Sequence, residues 1–180
     1  FNNNKSLFVW RSEHNKVENK KEIPENEEID INFKKIINDT IGTRVYNDYS
    51  KQSFILREPL LENNLIVIDN KNNIDWKIEE IYMEIGGIIC QKAQGYFRGR
   101  NYIAWFTNLY PVPTGPWKLH GLPGLIIQAN DVNNKVNFTF KKLNVYNGKQ
   151  NITISESKET INIKEFVKRK DNIHKEIINQ

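Results

Sequence analysis

The chain has 180 residues, a length that suits one well-buried domain and is short for two. Aromatic residues make up 11% of it, which excludes a disordered chain, although the mean hydropathy of −0.64 is polar for a globular protein. The net charge of +4 is spread over 26 basic and 22 acidic residues without a dense cluster, which argues against nucleic-acid binding, and no apolar run of about 18 residues could span a bilayer.

Most predicted elements are short strands. Residues 6–12 carry apolar side chains on both faces and predict a first strand that is buried on both sides or covered by a partner. The charged, Asn-rich residues 14–28 predict an exposed loop. Regularly spaced turn signals then predict antiparallel strands at residues 29–33, 43–46, 53–57 (ending before Pro59), 65–68, 88–97, 101–106, 125–129 and 136–142. Another strand leads from Trp76 towards Gly86, with a bulge because the apolar spacing slips.

Hairpins and one helix complete the expected fold. Gly99, between Arg98 and Arg100, predicts a tight hairpin, and residues 131–134 predict a second. Asn162 and Glu165 resemble a capping box, followed by apolar residues at helical spacing. We therefore predict a single domain over residues 1–180 that is mainly β (β-rich α+β): an antiparallel meander forming a curved sheet or partly closed barrel, with one C-terminal helix packed on it.

A proline-rich loop lies near the centre of the chain. Its prolines fall within thirteen residues, at Pro111, Pro113, Pro116 and Pro123. Each proline fixes φ and lacks a backbone donor, so the segment is predicted to be a rigid loop and neither strand nor helix. Leu122-Pro123-Gly124 has the proline and glycine positions of a type II turn. Long, stiff loops tend to be functional or to form packed lids.

Several motifs in this region carry a family resemblance. They are CQKA at 90–93, FRGR at 97–100, AWFT at 104–107, GPWK at 115–118 and GLPGLI at 121–126. In order and spacing they resemble the GLPGLI family, a bacterial group named for the last motif, with the best agreement from Trp76 to about Phe140. The resemblance implies an exported protein, periplasmic or secreted, whose signal peptide would precede Phe1, and a biochemical role that is largely unassigned. The family pattern often has an acidic residue shortly before the first loop proline, where this chain has Leu109 and Tyr110.

Cys90 and His120 are the one pair that could act as nucleophile and base. A cysteine peptidase needs a thiolate beside an imidazole, with a third group that orients the ring. The sequence does not identify that third group, and Asp131 and Asn130 are only candidates. The alternative is that Cys90, the single cysteine, packs as a small apolar side chain.

Arginines and aromatic residues around the loop suggest ligand contact. Arg98 and Arg100 could anchor a carboxylate or phosphate, or they could clamp the loop or lie in solvent at the hairpin tip. Strand alternation places Tyr102 on one face of the sheet and Trp105 on the other. One face is core, and the other is either covered or lines a cleft. Trp117, in the loop itself, is the third aromatic candidate for ligand contact.

We favour a non-catalytic function: an exported, envelope-associated protein that holds a peptide or amphipathic ligand in a cleft beside the loop. The predicted ligand-binding residues are Arg98, Arg100, Tyr102, Trp105 and Trp117. The alternatives are a cysteine peptidase using Cys90 and His120, and a non-catalytic assembly component that pairs with a partner envelope protein through a sheet edge. The three histidines and single cysteine are too scattered to predict a metal site, and no cofactor is expected.

Overall fold

The computed structural model describes residues 1, 4–10, 42–61, 63–145, 151–154 and 159–178. The predicted loop at 14–28 and the predicted strand at 29–33 lie outside these residues. The chain divides into two compact units. The loop-bearing unit comprises Phe1–Ser6, Asp48–Gln52 and Lys71–Ile152, and the helix-bearing unit comprises Leu7–Asn47, Ser53–Asn70 and Thr153–Gln180.

Ten strands and one helix make up the described part of the chain, which confirms a mainly β fold with a C-terminal helix. In chain order they are β1 (Lys5–Trp10), β2 (Thr43–Asp48), β3 (Ser53–Leu60), β4 (Asn63–Asn70), β5 (Lys77–Ile85), β6 (Ile88–Phe97), β7 (Arg100–Thr107), β8 (Leu125–Asp131), β9 (Asn137–Phe138), β10 (Glu159–Asn162) and α1 (Ile163–Ile178). The described strands form two open five-stranded sheets, with the orders β1-β2-β3-β4-β10 and β5-β6-β7-β8-β9. They do not form one closed barrel.

The first sheet departs from the predicted pattern at one edge. β10 has no counterpart among the predicted strands, and it pairs with β4 in parallel, so the expectation of an all-antiparallel sheet is wrong at this pair. A parallel pair needs a long connection, and here residues 71–158 separate the two strands along the chain. Only tertiary contacts can select such a pairing, because local spacing and turn residues carry no signal for it.

The strand predicted to end before Pro59 instead continues through Pro59 to Leu60. Pro59 pairs with Asn64 of β4, whereas the pairing of β3 with β2 ends at Arg57, opposite Arg44. Beyond that pair, β4 is the only described strand beside β3. Proline is tolerated at such a position, because its missing N–H removes no bond to a second neighbour.

Helix α1 begins where the cap residues predict. Asn162 Oδ1 accepts a hydrogen bond from the backbone N–H of Glu165 at 2.9 Å, which satisfies one of the free donors of the first turn. Phe166 is buried, and the helix contacts β4 and β10, so the predicted packing of the helix on a sheet is confirmed. Within the described residues, no helix has both the length and the apolar character to cross a membrane.

One face of the second sheet carries the core cluster of this unit. Alanines of three neighbouring strands lie in one row, because Ala93 pairs with Ala104 and Ala104 pairs with Ala129. These small side chains belong to the same buried cluster as Leu119 and Leu122, which come from the proline-rich loop. The loop therefore covers this face, and each of its two buried leucines contributes roughly 1.5–3 kcal/mol of apolar burial.

Candidate functional site

The proline-rich loop between β7 and β8 is held by its own backbone hydrogen bonds. Leu125 N–H donates to Tyr110 O and Ile126 N–H donates to Thr114 O, both at 2.9 Å. An isolated β-bridge joins Thr114 to His120 across the loop. The prediction that this segment is neither strand nor helix is confirmed, since its donors and acceptors pair within the loop and with the first residues of β8.

Buried side chains fix the loop as well. Val112, Leu119 and Leu122 are at most 4% exposed. Thr114 is also buried, and its Oγ1 lies 2.8 Å from Ser6 Oγ, so a hydroxyl–hydroxyl hydrogen bond ties the loop to the N-terminal segment. The loop is therefore a packed cover of the sheet with a defined conformation.

Gly124 has a different role from the predicted one. Its φ is not positive, so the type II turn expected at Leu122-Pro123-Gly124 is wrong. A Cβ at Gly124 would lie 2.0 Å from the backbone oxygen of Thr107. Glycine is required there because two backbone segments touch, a feature that turn preferences do not reveal.

Three basic residues gather around two aromatic rings where this loop meets the β6–β7 hairpin; Phe97 and Lys118 are buried, Trp117 and His120 are half-buried, and Arg98 is exposed. The rings of Phe97 and Trp117 pack edge to face with centroids 5.9 Å apart. Arg98 Cζ lies 5.2 Å from the centre of the Phe97 ring, and Lys118 Nζ lies 5.1 Å from a ring centre of Trp117. His120 packs edge to face on Phe97 at 6.1 Å. We call these five residues the cation–aromatic patch.

His120 is neutral in this setting. Its Nδ1–H donates to Lys118 O at 2.8 Å, which assigns the proton of the neutral ring to Nδ1. Burial lowers the pKa of His120, and the positive charges of Lys71 and Arg98 lower it further, whereas the bond to Lys118 O acts in the opposite direction. Lys71 and Arg98 thus place positive charge near this ring. Trp76 Nε1–H donates to His120 O at 2.8 Å and holds the backbone in place.

Two patch residues have a backbone conformation that L-amino acids rarely adopt. The φ angles are 48° at Arg98 and 52° at Trp117. Arg98 and Gly99, with φ of 82°, are the two central residues of the β6–β7 hairpin, so both have the positive φ of a type I′ turn. This confirms the predicted hairpin. Positive φ at two non-glycine residues is a conformation that often marks functional sites.

Arg100 is tied to the protein itself. Its Nη1 donates to Asp131 Oδ2 at 2.9 Å, and Asp131 Oδ1 accepts from Val136 N–H at 2.8 Å. Asp131 is 1% exposed, and these hydrogen bonds, first that of Val136, lower its pKa. Arg100 therefore holds the β8–β9 turn, whereas the predicted clamp was on the proline-rich loop.

Tyr102 and Trp105 lie on opposite faces of the second sheet, as alternation predicts. Tyr102 belongs to the core cluster and is 3% exposed, so it has little surface to offer a ligand. Trp105 pairs with Lys92 on β6 and with Gln128 on β8, and it is half-buried on the other face. Of the five predicted ligand-binding residues, only Arg98 and Trp117 meet in the patch.

Cys90 and His120 are not brought together. Cys90 is fully buried, and its thiol donates a weak hydrogen bond to Ile88 O of its own strand. The residue after it, Gln91, pairs with Phe106, so Cys90 lies on the face opposite the Phe106 side chain, whereas His120 packs on Phe97 on the same face as Phe106. Burial raises the pKa of the thiol, with no contribution from an imidazole. An activated nucleophile needs the reverse.

Lys118 and Phe97 are the patch residues that the sequence did not single out as candidates. Lys118 is 4% exposed, which is unusual for lysine, and its only signal was its place in the GPWK motif. No group of three or more His, Cys, Asp or Glu side chains arranged to hold a metal ion occurs in the described ranges.

The fold and the patch together define a β-rich protein in which a rigid central loop places Trp117, Lys118 and His120 beside Phe97 and Arg98 of the β6–β7 hairpin. Comparisons of the chain with protein-family models, with curated proteins and with solved structures found no match.

Proposed function

We propose that the chain is an exported, envelope-associated binding protein that holds a peptide or other amphipathic ligand against the cation–aromatic patch. The observation that carries this proposal is the convergence of Arg98, Lys118 and His120 on the Phe97–Trp117 ring pair. The half-buried Trp117 ring offers apolar contact area and the exposed Arg98 guanidinium attracts a carboxylate, whereas Phe97 and Lys118 are buried and pack behind them. The ligand is therefore expected to combine an apolar body with an acidic group.

The rigidity of the loop supports binding. Ordering a flexible segment on binding reduces affinity, and a segment that is already ordered avoids this cost. Here four prolines and the buried side chains of Leu119 and Leu122 fix the loop before any ligand arrives. The patch is thus preorganised for recognition.

The electrostatics of the patch indicate the charge of the ligand. Lys71 and Arg98 both oppose protonation of His120, so positive charges repel one another around this ring. A bound carboxylate would offset that repulsion and raise the pKa of His120. By thermodynamic linkage, an acidic ligand should bind more tightly as the pH falls and His120 gains its proton.

Binding can be tested with two acetylated and amidated tetrapeptides, Phe-Leu-Leu-Glu and Phe-Leu-Leu-Gln, which differ by one charge. Arg98→Asn removes the guanidinium but suits the turn, because asparagine tolerates positive φ better than most residues. Calorimetry should show that Arg98→Asn weakens binding of the Glu peptide about tenfold, the loss expected for one hydrogen bond to a charged group. Binding of the Gln peptide should change by less than about twofold.

Lys135→Asn is the matched control, because Lys135 is an exposed cation at the β8–β9 turn and lies outside the patch. It should leave the affinity for both peptides unchanged. Equal affinity of the wild-type protein for the two peptides would refute the role of charge, and equal losses in Arg98→Asn and Lys135→Asn would refute the patch. Saturation with the Glu peptide should also raise the pKa of His120, which an NMR titration of its ring protons measures.

One observation favours a second candidate, a non-catalytic assembly component. β5 is the outer strand of the second sheet among the described strands, and it exposes apolar side chains at Ile78, Ile81, Tyr82 and Met83. The register of β5 shifts at a bulge between Ile78 and Tyr82, and bulges of this kind hinder the pairing of a sheet edge with another chain. This candidate therefore ranks second. If β5 pairs with a partner chain, Ile81→Lys should abolish concentration-dependent association in light scattering, and Val145→Lys, at another exposed apolar residue, should not.

A further inference from the structure

Trp76 lies directly on the backbone of β6. Gly95 of this strand pairs with Tyr102 of the core cluster, so it is on the face that the proline-rich loop covers. The φ of Gly95 is not positive, so no left-handed backbone calls for glycine there. A Cβ at Gly95 would nevertheless lie 2.7 Å from Trp76 Cε3 and 2.9 Å from Ile74 Cγ2. Glycine in this strand therefore makes room for the Trp76 ring.

The indole of Trp76 reaches from β6 to the loop. Its Nε1–H donates to His120 O at 2.8 Å. The next residue, Gly121, lies beside the same nitrogen, since a Cβ there would be 3.9 Å from Trp76 Nε1. A half-buried tryptophan commonly directs its single N–H to an acceptor while its ring packs on apolar groups. The seat on Gly95 and the bond to His120 together fix this ring at both ends.

His120 has its other contacts within the loop and the patch. Its Nδ1–H donates to Lys118 O, and its ring packs edge to face on Phe97. An isolated β-bridge joins its backbone to Thr114. The bond from Trp76 comes from the segment that precedes β5, outside both the loop and the patch. It therefore ties the backbone of the patch histidine to the sheet.

We propose that Trp76, seated on Gly95, is a positioning residue for the cation–aromatic patch: its indole N–H holds the backbone of His120 so that the imidazole meets the acidic group of a bound ligand. Trp76 acts through His120 and is not itself a contact of the ligand. The inference rests on the proposed function, because the placement of His120 affects binding only if a ligand occupies the patch.

The hold of Trp76 on His120 can be tested without a ligand. Trp76→Phe keeps an aromatic ring and removes the N–H donor. Burial is the largest cause of the lowered pKa of His120, and Lys71 and Arg98 are the charged groups that act on it. Releasing the ring towards water should therefore raise its NMR titration midpoint towards the ordinary value of about 6.5.

Two further variants separate this effect from a general loss of packing. Gly95→Ala keeps the indole and displaces it, because the added Cβ would occupy the place of its ring atoms. It should raise the His120 midpoint as Trp76→Phe does. Trp105→Phe is the matched control, since Trp105 is half-buried on the other face of the same sheet, and it should leave the midpoint unchanged.

The effect on binding is measured with the same two tetrapeptides at about pH 6, where part of His120 is protonated. Trp76→Phe should weaken binding of the Glu peptide about fivefold, roughly the worth of one hydrogen bond, and binding of the Gln peptide by less than about twofold. The rise in the pKa of His120 on saturation with the Glu peptide should also be smaller than in wild type. In a His120→Gln background, Trp76→Phe should cause no further loss.

The outcomes distinguish this inference from the proposed function. An unchanged His120 midpoint in both Trp76→Phe and Gly95→Ala would overturn the positioning role whether or not the peptides bind. A further loss of Glu-peptide binding in the double variant would also overturn it, because Trp76 would then act by another route. If the midpoint rises in both variants but wild type binds neither peptide, the proposed function fails, and the hold of Trp76 on His120 is supported.

Discussion

Replacing Gly124 by alanine should destabilise the protein more than the same replacement at Gly99. A Cβ at Gly124 would lie 2.0 Å from Thr107 O and 2.6 Å from its carbonyl carbon. Close carbon–oxygen contacts in proteins are about 3.3 Å, so the loop and the end of β7 would have to separate by about 1.3 Å. Both partners are backbone, so no side-chain rotation can relieve the clash.

The loss of stability expected in Gly124→Ala has two parts, the steric clash itself and the weakening of a neighbouring backbone hydrogen bond. Overpacking a fixed site costs about 1–3 kcal/mol. The residue after Gly124, Leu125, donates its N–H to Tyr110 O. Loss of this hydrogen bond would add roughly 1 kcal/mol to the destabilisation. The expected total for Gly124→Ala is about 2–4 kcal/mol. At Gly99 no atom lies within 4 Å of an added Cβ, so only the left-handed backbone opposes alanine, at about 1–2 kcal/mol.

Urea unfolding of the two variants measures the difference directly. Thermal unfolding gives the same order, since each 1 kcal/mol lowers the melting temperature by about 2–4 °C at this chain length. Amide exchange adds local resolution, because the Leu125 and Ile126 N–H groups should lose protection in Gly124→Ala and keep it in Gly99→Ala. If Gly124→Ala is no less stable than Gly99→Ala, the close backbone contact is not what requires glycine in the GLPGLI motif.

Three further predictions concern titratable groups. Iodoacetamide at about pH 7.5 should leave Cys90 unmodified in the folded protein and modify it in urea, as mass spectrometry would show; rapid labelling of the folded protein would contradict its burial. Because the pKa of Asp131 is lowered on folding, its stabilisation is complete above the unfolded value of about 3.9 and is lost as the pH falls through the folded value. The stability difference between wild type and Asp131→Asn should therefore be constant above about pH 5 and shrink in acid, and a difference that grows in acid would contradict this sign. His120 should titrate by NMR below its ordinary value of about 6.5, and a midpoint above it would show that an acidic group dominates its surroundings.

Local elements of this fold could be predicted from the sequence. The predicted strand at 88–97 coincides with β6, because alternation and flanking glycines define it on both sides. The β6–β7 hairpin follows from the conformational freedom of Gly99, and the start of α1 follows from the cap at Asn162. Each of these depends on neighbouring residues alone. The predicted strand at 136–142 is shorter, since β9 contains only Asn137–Phe138.

Pairing and close contact between distant segments could not be predicted. The parallel pair of β10 and β4 and the division of the strands into two sheets depend on which surfaces meet after folding. The steric role of Gly124 has the same origin, because the contact with Thr107 crosses the base of the loop. The single-domain expectation and the GLPGLI resemblance remain predictions.

For the candidate site too, the sequence could not predict contacts between distant segments. Alternation separated Tyr102 from Trp105 correctly, but it could not tell which face the loop would cover. Arg98 and Arg100 flank Gly99 alike in sequence, and the carboxylate that holds Arg100, that of Asp131, lies 31 residues further along the chain. The burial of Lys118 beside Trp117 likewise arises from the folded loop and has no local signal.

Arg98 is the residue that best separates a binding surface from a purely structural one. The positive φ of Trp117 can be explained by packing, because its half-buried ring meets Phe97 and borders the core cluster. Arg98 has no such burial: it is exposed, and its contact with the Phe97 ring is worth about 0.5–1 kcal/mol at a surface site. The left-handed backbone costs about as much or more, and asparagine at the same turn position would reduce that cost. Arg98→Asn should fold about as well as wild type, so a loss of acidic-peptide binding in that variant would reflect the guanidinium itself.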